Sequence, residues 1–370
     1  MFKLNKVSLF IALFLGISLW ILLHHGILLG GDSERYLTGA KNILEGLPLT
    51  GKQPSYRAYI ALVALCLKSG IGSLGLGVVQ VVLSALSLVC LFKMGKTLSG
   101  ARAGWIATLL VALNPEIQRW NFFILTESVY ISSVIISCWV VMKTLEASTS
   151  KKKFGWGILA IGLFVFTAFV RPNGWVTLVV VFAFVFLQVV RKTTDRVISA
   201  AVLVLCLVIL LTKVSAFQQG IQNEDPSKAL TSGLILWGYP AWNLSMPVES
   251  NLESGFTGLF IYVVKHPLAA LALGICRLGS ELIHARPFYS SGHNLAITLF
   301  LVPVYAFALR GFLGIRHRVL AKLLASLILA QFLTVAATFS DWDGRFLLYV
   351  LPLIAVFCGV GLTPKPSEIT

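Results

Sequence analysis

Negative charge is scarce in this chain. Its 370 residues carry 15 aspartates and glutamates against 30 lysines and arginines, and charged residues of both signs make up only 12%. A soluble domain of this length would carry roughly twice that charged fraction, so an independent water-soluble fold is excluded for most of the sequence. No Gly-rich phosphate loop is present, which argues against nucleotide-driven chemistry. The six cysteines (Cys66, Cys90, Cys138, Cys206, Cys276, Cys358) lie scattered in apolar runs with no CxxC and no paired spacing. That pattern excludes a disulfide framework and leaves them as small buried hydrophobes.

What the chain has in excess is apolar length. Hydrophobic residues make up 57% of it and mean hydropathy is +0.86. Runs of about 20 residues recur, the length that crosses a ~30 Å hydrocarbon core. Spans are expected at 7–29, 73–92, 103–120, 125–145, 154–170, 173–190, 197–216, 294–309, 319–338 and 346–362. The expected fold is therefore all-α, a polytopic membrane protein of about ten transmembrane helices forming one domain over 1–370. Asn114-Pro115-Glu116 interrupts the outer end of the third run. The first run is too long for a signal-peptide core, and no small-residue cleavage site precedes Gly30-Gly31-Asp32, so it is expected to be retained.

A net charge of +15 could serve nucleic acid, but its distribution points to a bilayer instead. With the N-terminus in the cytoplasm, seventeen of the 30 basic residues fall inside, including Lys93, Lys96, Lys143, Lys151, Lys152, Lys153, Arg191, Lys192, Arg310, Arg316 and Arg318. Only three acids accompany them (Glu146, Asp195 and Glu368). Retention of lysine and arginine on the cytoplasmic side fixes orientation, which places both termini in the cytoplasm of a plasma-membrane protein. Counting Tyr56–Lys68 as a span would invert every later helix, so that short run is expected to lie along the outer surface.

Two long segments then project outward, 30–72 and 217–293. Tyr36, Leu37, Ala40, Ile43, Leu44 and Leu47 recur at helical spacing, which predicts an amphipathic interfacial helix capped by Asp32 or Ser33 and stopped at Gly46. Asp32 is either that cap or a carboxylate held at the membrane edge as a general base, and the two roles are compatible. Glu127, in Leu125-Thr126-Glu127-Ser128, stands at the mouth of an apolar span. There it is a functional candidate or a glutamate stabilised by the helix dipole. Arg171-Pro172-Asn173-Gly174 forms an abrupt outer turn. Arg345 closes Asp341-Trp342-Asp343-Gly344-Arg345, where a guanidinium fork suits a phosphate or pairs with Asp343. His266, His284 and His293 fall in the second outer segment. Their spacing matches no zinc pattern, so a divalent metal is conceivable but unassigned.

Taken in order, Gly31-Asp32-Ser33-x-x-Tyr36, Tyr56-Arg57-x-Tyr59, Leu125-Thr126-Glu127, Arg171-Pro172 and Gly344-Arg345-Phe346 resemble the GT-C glycosyltransferases. The similarity is nearest to bacterial and archaeal members related to the protein O-mannosyltransferases and the lipid A aminoarabinose transferase. The resemblance implies a polyprenyl-phosphate-linked sugar as donor and a glycan, lipid or protein as acceptor. It implies Asp32 and Glu127 as catalytic acids, and Arg345, Arg171 and Arg57 as ligands of the donor phosphate. Tyr36, Asp343 and His266 are the candidate substrate contacts. The larger members carry a C-terminal soluble domain that this sequence does not show, which leaves acceptor recognition to 217–293 and puts a protein acceptor in doubt.

Two other readings compete. A flippase for lipid-linked saccharides would show internal repeats and charges near mid-membrane, and the expected spans have neither. An O-antigen polymerase or ligase would show an arginine-rich outer loop, whereas 217–293 holds only Arg277 and Arg286. The charge argument makes a direct prediction. In cells, a membrane-impermeant maleimide reacts with Lys228→Cys and spares Lys151→Cys, compared with the unsubstituted protein. Equal reaction of both would remove the assigned outer face.

Overall fold

A computed structural model describes residues 6–189, 226–249 and 251–364. Among them the regular elements are helical, and β-pairing is confined to three isolated bridges. The helices in chain order are α1 (Lys6–His25), α2 (Ser33–Leu44), α3 (Arg57–Lys68), α4 (Gly72–Ser99), α5 (Ala101–Ala112), α6 (Pro115–Gln118), α7 (Glu127–Glu146), α8 (Ser150–Val170) and α9 (Asn173–Val189). The series continues with α10 (Pro226–Thr231), α11 (Gly255–Lys265), α12 (Pro267–Ile283), α13 (Ser291–Ile315), α14 (Val319–Ala337), α15 (Arg345–Leu348) and α16 (Leu351–Gly361).

Among the described residues five helices, α4, α7, α8, α13 and α14, are long and apolar enough to cross a membrane, or six if the α11–α12 pair, bent by 108°, is one broken span. Shorter apolar helices α1, α5, α9 and α16 occupy four more of the expected spans. The expected span 197–216 and Cys206 lie outside the described residues. The third expected span is cut short for a local reason. Asn114 Oδ1 accepts hydrogen bonds from the amides of Glu116 (2.9 Å) and Ile117 (3.3 Å), with Pro115 at the first helical position. An Asn cap followed by Pro starts a new turn better than it continues an old one. The run expected along the outer surface is the short helix α3, separate from the spans.

The chain divides into two compact units. The first comprises Met1–Gly174, Val304–Leu324 and Leu351–Thr370, and the second Trp175–Pro303 and Ala325–Val350. In the first unit, α16 is buried along its whole length. It reaches α5 because Gly359 lies against the Ala103 carbonyl, and it reaches α13 through Gly311 and Gly361, which face the carbonyls of Phe357 and Phe307. Gly95 and Gly104 let α4 and α5 approach in the same way. Small residues at helix contacts allow backbone to meet backbone where no hydrophobic gain drives association in lipid. At one end of this unit Thr97 Oγ1 donates to Glu146 (3.4 Å), Lys143 pairs with Glu146 (2.7 Å), and Arg318 donates to the Thr97 carbonyl (3.5 Å). Three of the basic turns assigned to the cytoplasm thus converge.

The second unit has a small core of Leu230, Tyr262 and Leu273. Bridges Leu234–Asn243 and Leu236–Ser340 tie the 234–243 loop to itself and to the turn before α15. Buried Arg277 holds that loop by donating to the carbonyls of Ala229 (2.6 Å), Leu234 (2.9 Å) and Ala336 (3.2 Å).

The glycine contacts give a test. Gly359→Leu forces α16 off α5, at a cost of about 1–3 kcal/mol or more, and lowers the thermal stability of the purified protein. Gly162→Leu, on α8 with nothing within 4 Å of the added carbon, leaves it unchanged. Equal tolerance of both would mean that α16 does not rely on close backbone approach.

Candidate functional site

In the first unit the loop between α1 and α2 is pinned to the segment that leads into α7. The Leu28 amide donates to the Phe122 carbonyl (2.8 Å) and the Ile124 amide to the Leu28 carbonyl (3.1 Å). Ser33 Oγ accepts from the Gly30 amide (2.8 Å) and donates to the Ile124 carbonyl (2.9 Å). Gly30 is required here, since a Cβ would stand 2.8 Å from Leu125. Ser33, buried, does the stitching. Asp32 occupies the N-cap position of α2, but its side chain makes no capping bond. It pairs with Arg35 at 3.0 Å and stays 37% exposed. The expected capping role is thus positional only, and its carboxylate is turned outward.

Glu127 is the first residue of α7 and its side chain is 1% exposed. Arg171, just past the end of α8, donates from Nη1 to Glu127 Oε1 (2.7 Å) and to Thr126 Oγ1 (2.9 Å). The turn that presents Arg171 needs Gly174, because any Cβ there would collide with the Thr167 carbonyl. Tyr36 is buried between Tyr56 and Tyr59, with ring centroids at 5.2 and 5.1 Å. Burial pushes its phenol well above the ordinary tyrosine range. Tyr56 adds to this, Arg171 opposes it, and Glu127 and Asp32 reinforce it. Tyr59 is fully buried and shifted the same way by burial. Its hydroxyl has no hydrogen-bond partner among the described residues. Arg57, exposed at the start of α3, donates to the Pro54 carbonyl (3.0 Å) and lies 4.8 Å above the Phe169 ring. Asp32, Tyr36, Arg57, Glu127 and Arg171 therefore gather at the end of the unit where α2, α3, α7 and α8 begin or finish.

The second unit holds the remaining candidates. Arg345 grips Asp341 in a bidentate pair, Nε to Oδ2 at 3.0 Å and Nη2 to Oδ1 at 2.9 Å. The pair to Asp341 forms because Gly344, at φ +67, folds the turn back so that residues 341 and 345 meet. His284 packs directly against Gly344. The amide of Asp343 donates to Asp341 Oδ2 at 3.0 Å. His266 is at the α11–α12 elbow, where Glu249 holds it at 2.9 Å. His266 first, then Lys265, holds the Glu249 carboxyl below its usual range. Thus Arg345 and Asp343 share a turn, and His266 belongs to a separate pair.

Sequence reasoning passed over the buried network beneath that turn. Arg286, 1% exposed, donates to the carbonyls of Ser280 (2.7 Å), Asp341 (2.9 Å) and Trp342 (3.1 Å) and to Ser340 Oγ (3.3 Å). Glu281, fully buried, accepts from Ser340 Oγ (2.5 Å) and from the Leu347 amide (2.6 Å). Their signal was available: Arg277 and Glu281, one helical turn apart, interrupt an otherwise apolar run. Among the described residues no three His, Cys, Asp or Glu side chains converge as a metal site requires.

Comparison with known proteins matches this arrangement at the level of fold. The family model of the dolichyl-phosphate-mannose-protein mannosyltransferases matches residues 52–215, which include Arg57, Glu127 and Arg171 but neither Asp32 nor Arg345. The crystal structure of ArnT from Cupriavidus metallidurans bound to undecaprenyl phosphate superposes with a TM-score of 0.56 at 14% identity, covering 98% of this chain and 61% of that one. Its apo form gives 0.53 at 15% identity, with 98% and 60% covered. The chain thus spans about three-fifths of the solved proteins it matches. No curated protein sequence matches it. The chain is a polytopic α-helical membrane protein with the GT-C fold.

The two acids of the first unit are separable by stability. Glu127→Ala strands a nearly buried Arg171 and costs about 3–5 kcal/mol, whereas Asp32→Ala removes a half-exposed pair worth at most about 1 kcal/mol. Thermal unfolding of the two purified variants measures the difference. Equal losses would mean that the Glu127–Arg171 pair does not hold α7 to α8.

Proposed function

We propose that this chain is a membrane glycosyltransferase that moves a sugar from a polyprenyl phosphate to an acceptor hydroxyl at the outer face. The observation that carries the proposal is the cluster in the first unit, where an outward-turned carboxylate, Asp32, shares one helix end with the fixed Glu127–Arg171 pair and the exposed Arg57. The GT-C fold supports it, as does the undecaprenyl phosphate bound by the ArnT structure. So does the charge asymmetry, with three basic turns joined at one end of the unit and the acidic cluster away from them.

The proposed chemistry is a single displacement. Asp32 accepts the proton of the acceptor hydroxyl, and that oxygen bonds to the anomeric carbon. The bond from this carbon to the phosphate oxygen breaks on the opposite side, so configuration inverts. The departing lipid phosphate gains negative charge, which Arg57 and Arg171 of the first unit stabilise; Arg345, in the second unit, is a separate candidate ligand for the lipid phosphate. Glu127 fixes Arg171, and Asp341 fixes Arg345. Buried Tyr36 keeps α2 seated so that Asp32 keeps its aim, a positioning role in place of direct substrate contact. Asp343, beside Arg345, is the candidate contact for a substrate hydroxyl in that turn. His266, paired with Glu249, would reach a substrate from the elbow of α11 and α12. The acceptor is a glycan, lipid or protein hydroxyl.

Two measurements test this reading. Asp32→Asn keeps the fold and lowers transfer from a radiolabelled polyprenyl-phosphate sugar by about 10²-fold or more, as loss of a general base predicts. Near-normal turnover would reduce Asp32 to a helix-start residue. Separately, Arg345→Lys keeps the charge but loses the planar fork, so binding of the lipid donor weakens while Asp343→Asn does less harm. Full tolerance of lysine, or greater damage from Asp343→Asn, would place the donor phosphate elsewhere.

A further inference from the structure

The second unit displays aromatic rings that its core does not use. Trp342 (45% exposed), Phe288 (44%), Tyr239 and Trp242 (36%) follow one another with ring centroids 6.1, 6.1 and 6.0 Å apart. Exposed rings at this density need either a ligand or a membrane to cover them.

Their backbone is rigidly held. The Ile235 amide donates to the Trp242 carbonyl (3.1 Å), Trp242 to Tyr239 (3.0 Å), and Trp237 to Ser340 (2.9 Å), while Arg286 holds the Trp342 carbonyl. Gly238, at φ +79, makes the turn that lets Trp237 stack on Phe339 while Tyr239 faces Phe288. A membrane-anchoring belt needs no such loop scaffold and is commonly flanked by lysine and arginine. Here segments 234–246, 286–294 and 339–345 contain two lysine or arginine residues, Arg286, which is buried, and Arg345, which is paired with Asp341. The rim instead offers hydroxyls and an amide: Ser245, Ser290 and Asn243. Ring faces beside neutral hydrogen-bonding groups suit a pyranose, whose C–H face is apolar and whose edge is all hydroxyl. Four ring faces exceed what one sugar covers, so the fit is to a chain of sugars and not to the single sugar on a donor lipid. Trp342 also lies in the same turn as Arg345, three residues before it.

We propose that Tyr239, Trp242, Phe288 and Trp342 form a subsite for a neutral oligosaccharide, the acceptor glycan. The proposal rests on the glycosyltransferase reading only in calling that glycan the acceptor. The test is calorimetric titration of the full chain in nanodiscs with glucan, mannan and chitin tetrasaccharides. At least one binds, Trp342→Ala weakens it about tenfold, and Trp342→Phe, which keeps a ring face, restores most of the affinity. Arg345→Lys leaves this binding intact while donor binding falls. Asp32→Asn also leaves it intact. Saccharide binding by the unsubstituted protein without any transfer would sink the enzymatic reading and spare this one. Absence of binding to all three saccharides overturns the proposal, as does an unchanged affinity in Trp342→Ala. Strong quenching of Trp242 and Trp342 by bromine-labelled acyl chains, absent in the double phenylalanine variant, would assign the rings to the membrane and also overturn it.

Discussion

A carboxylate at the end of an apolar helix must find a partner inside the protein, because lipid supplies none and the desolvation of a bare charge costs several kcal/mol. Glu127 meets that requirement through Arg171, and much of the first unit's outer end follows from it. The pair ties the start of α7 to the finish of α8 across antiparallel neighbours. Phe169, on the last turn of α8, then lies beneath Arg57, which connects α3 to the same point. Tyr36, between Tyr56 and Tyr59, carries α2 onto α3 within reach of the same charges. Asp32 is aimed by this chain of contacts without taking part in it. Its ion pair, to Arg35, stays within the first turn of α2.

The second unit solves the same problem with backbone. Arg277 and Arg286 are both buried, and they direct most of their donors to main-chain carbonyls instead of carboxylates. Such bonds satisfy the cation and also brace irregular loops that could not otherwise pair their carbonyls. Glu281 does the converse, accepting the Leu347 amide in the first turn after Gly344. The turn from Asp341 to Arg345 is therefore fixed from below on both sides. Fixed dipoles of this kind need little reorganisation when a charged ligand arrives, which is the property a leaving-group site requires.

Legibility in the sequence followed the physics that each feature obeys. Span positions were readable because hydrocarbon thickness sets run length. The interruption at Asn114-Pro115 was visible for the same local reason that the structure ends α5 there. Helix α2 was placed by its apolar spacing, yet the role of its first residues was not. Spacing cannot say whether Asp32 or Ser33 makes the bonds, and the answer depends on Ile124, 91 residues away. The pairing of Arg345 with Asp341 was missed because it depends on the positive φ at Gly344, which spacing does not show. Arg286 was missed because in an outer loop it reads as ordinary surface charge, while its burial depends on the 340–342 turn brought to it from 54 to 56 residues away.

In the proposed reaction the two arginines of the first unit are not equivalent, and their surroundings give an order of use. Arg171 faces a carboxylate at 2.7 Å, so much of its field is cancelled at a distance. Arg57 is exposed, and a carbonyl and the face of a phenylalanine ring leave its charge intact. On the proposed reading, a lipid phosphate approaching along the membrane surface is drawn first by Arg57, where the attraction is screened only by solvent and salt. Once the phosphate is close and water is excluded, the paired Arg171 gains weight. Its fork is already oriented, and a leaving phosphate whose negative charge grows during bond cleavage competes with a carboxylate better than the intact donor does. An exposed cation that captures the ground state, and a guarded cation that responds most as charge develops, is the division that favours turnover over mere tight binding of the lipid.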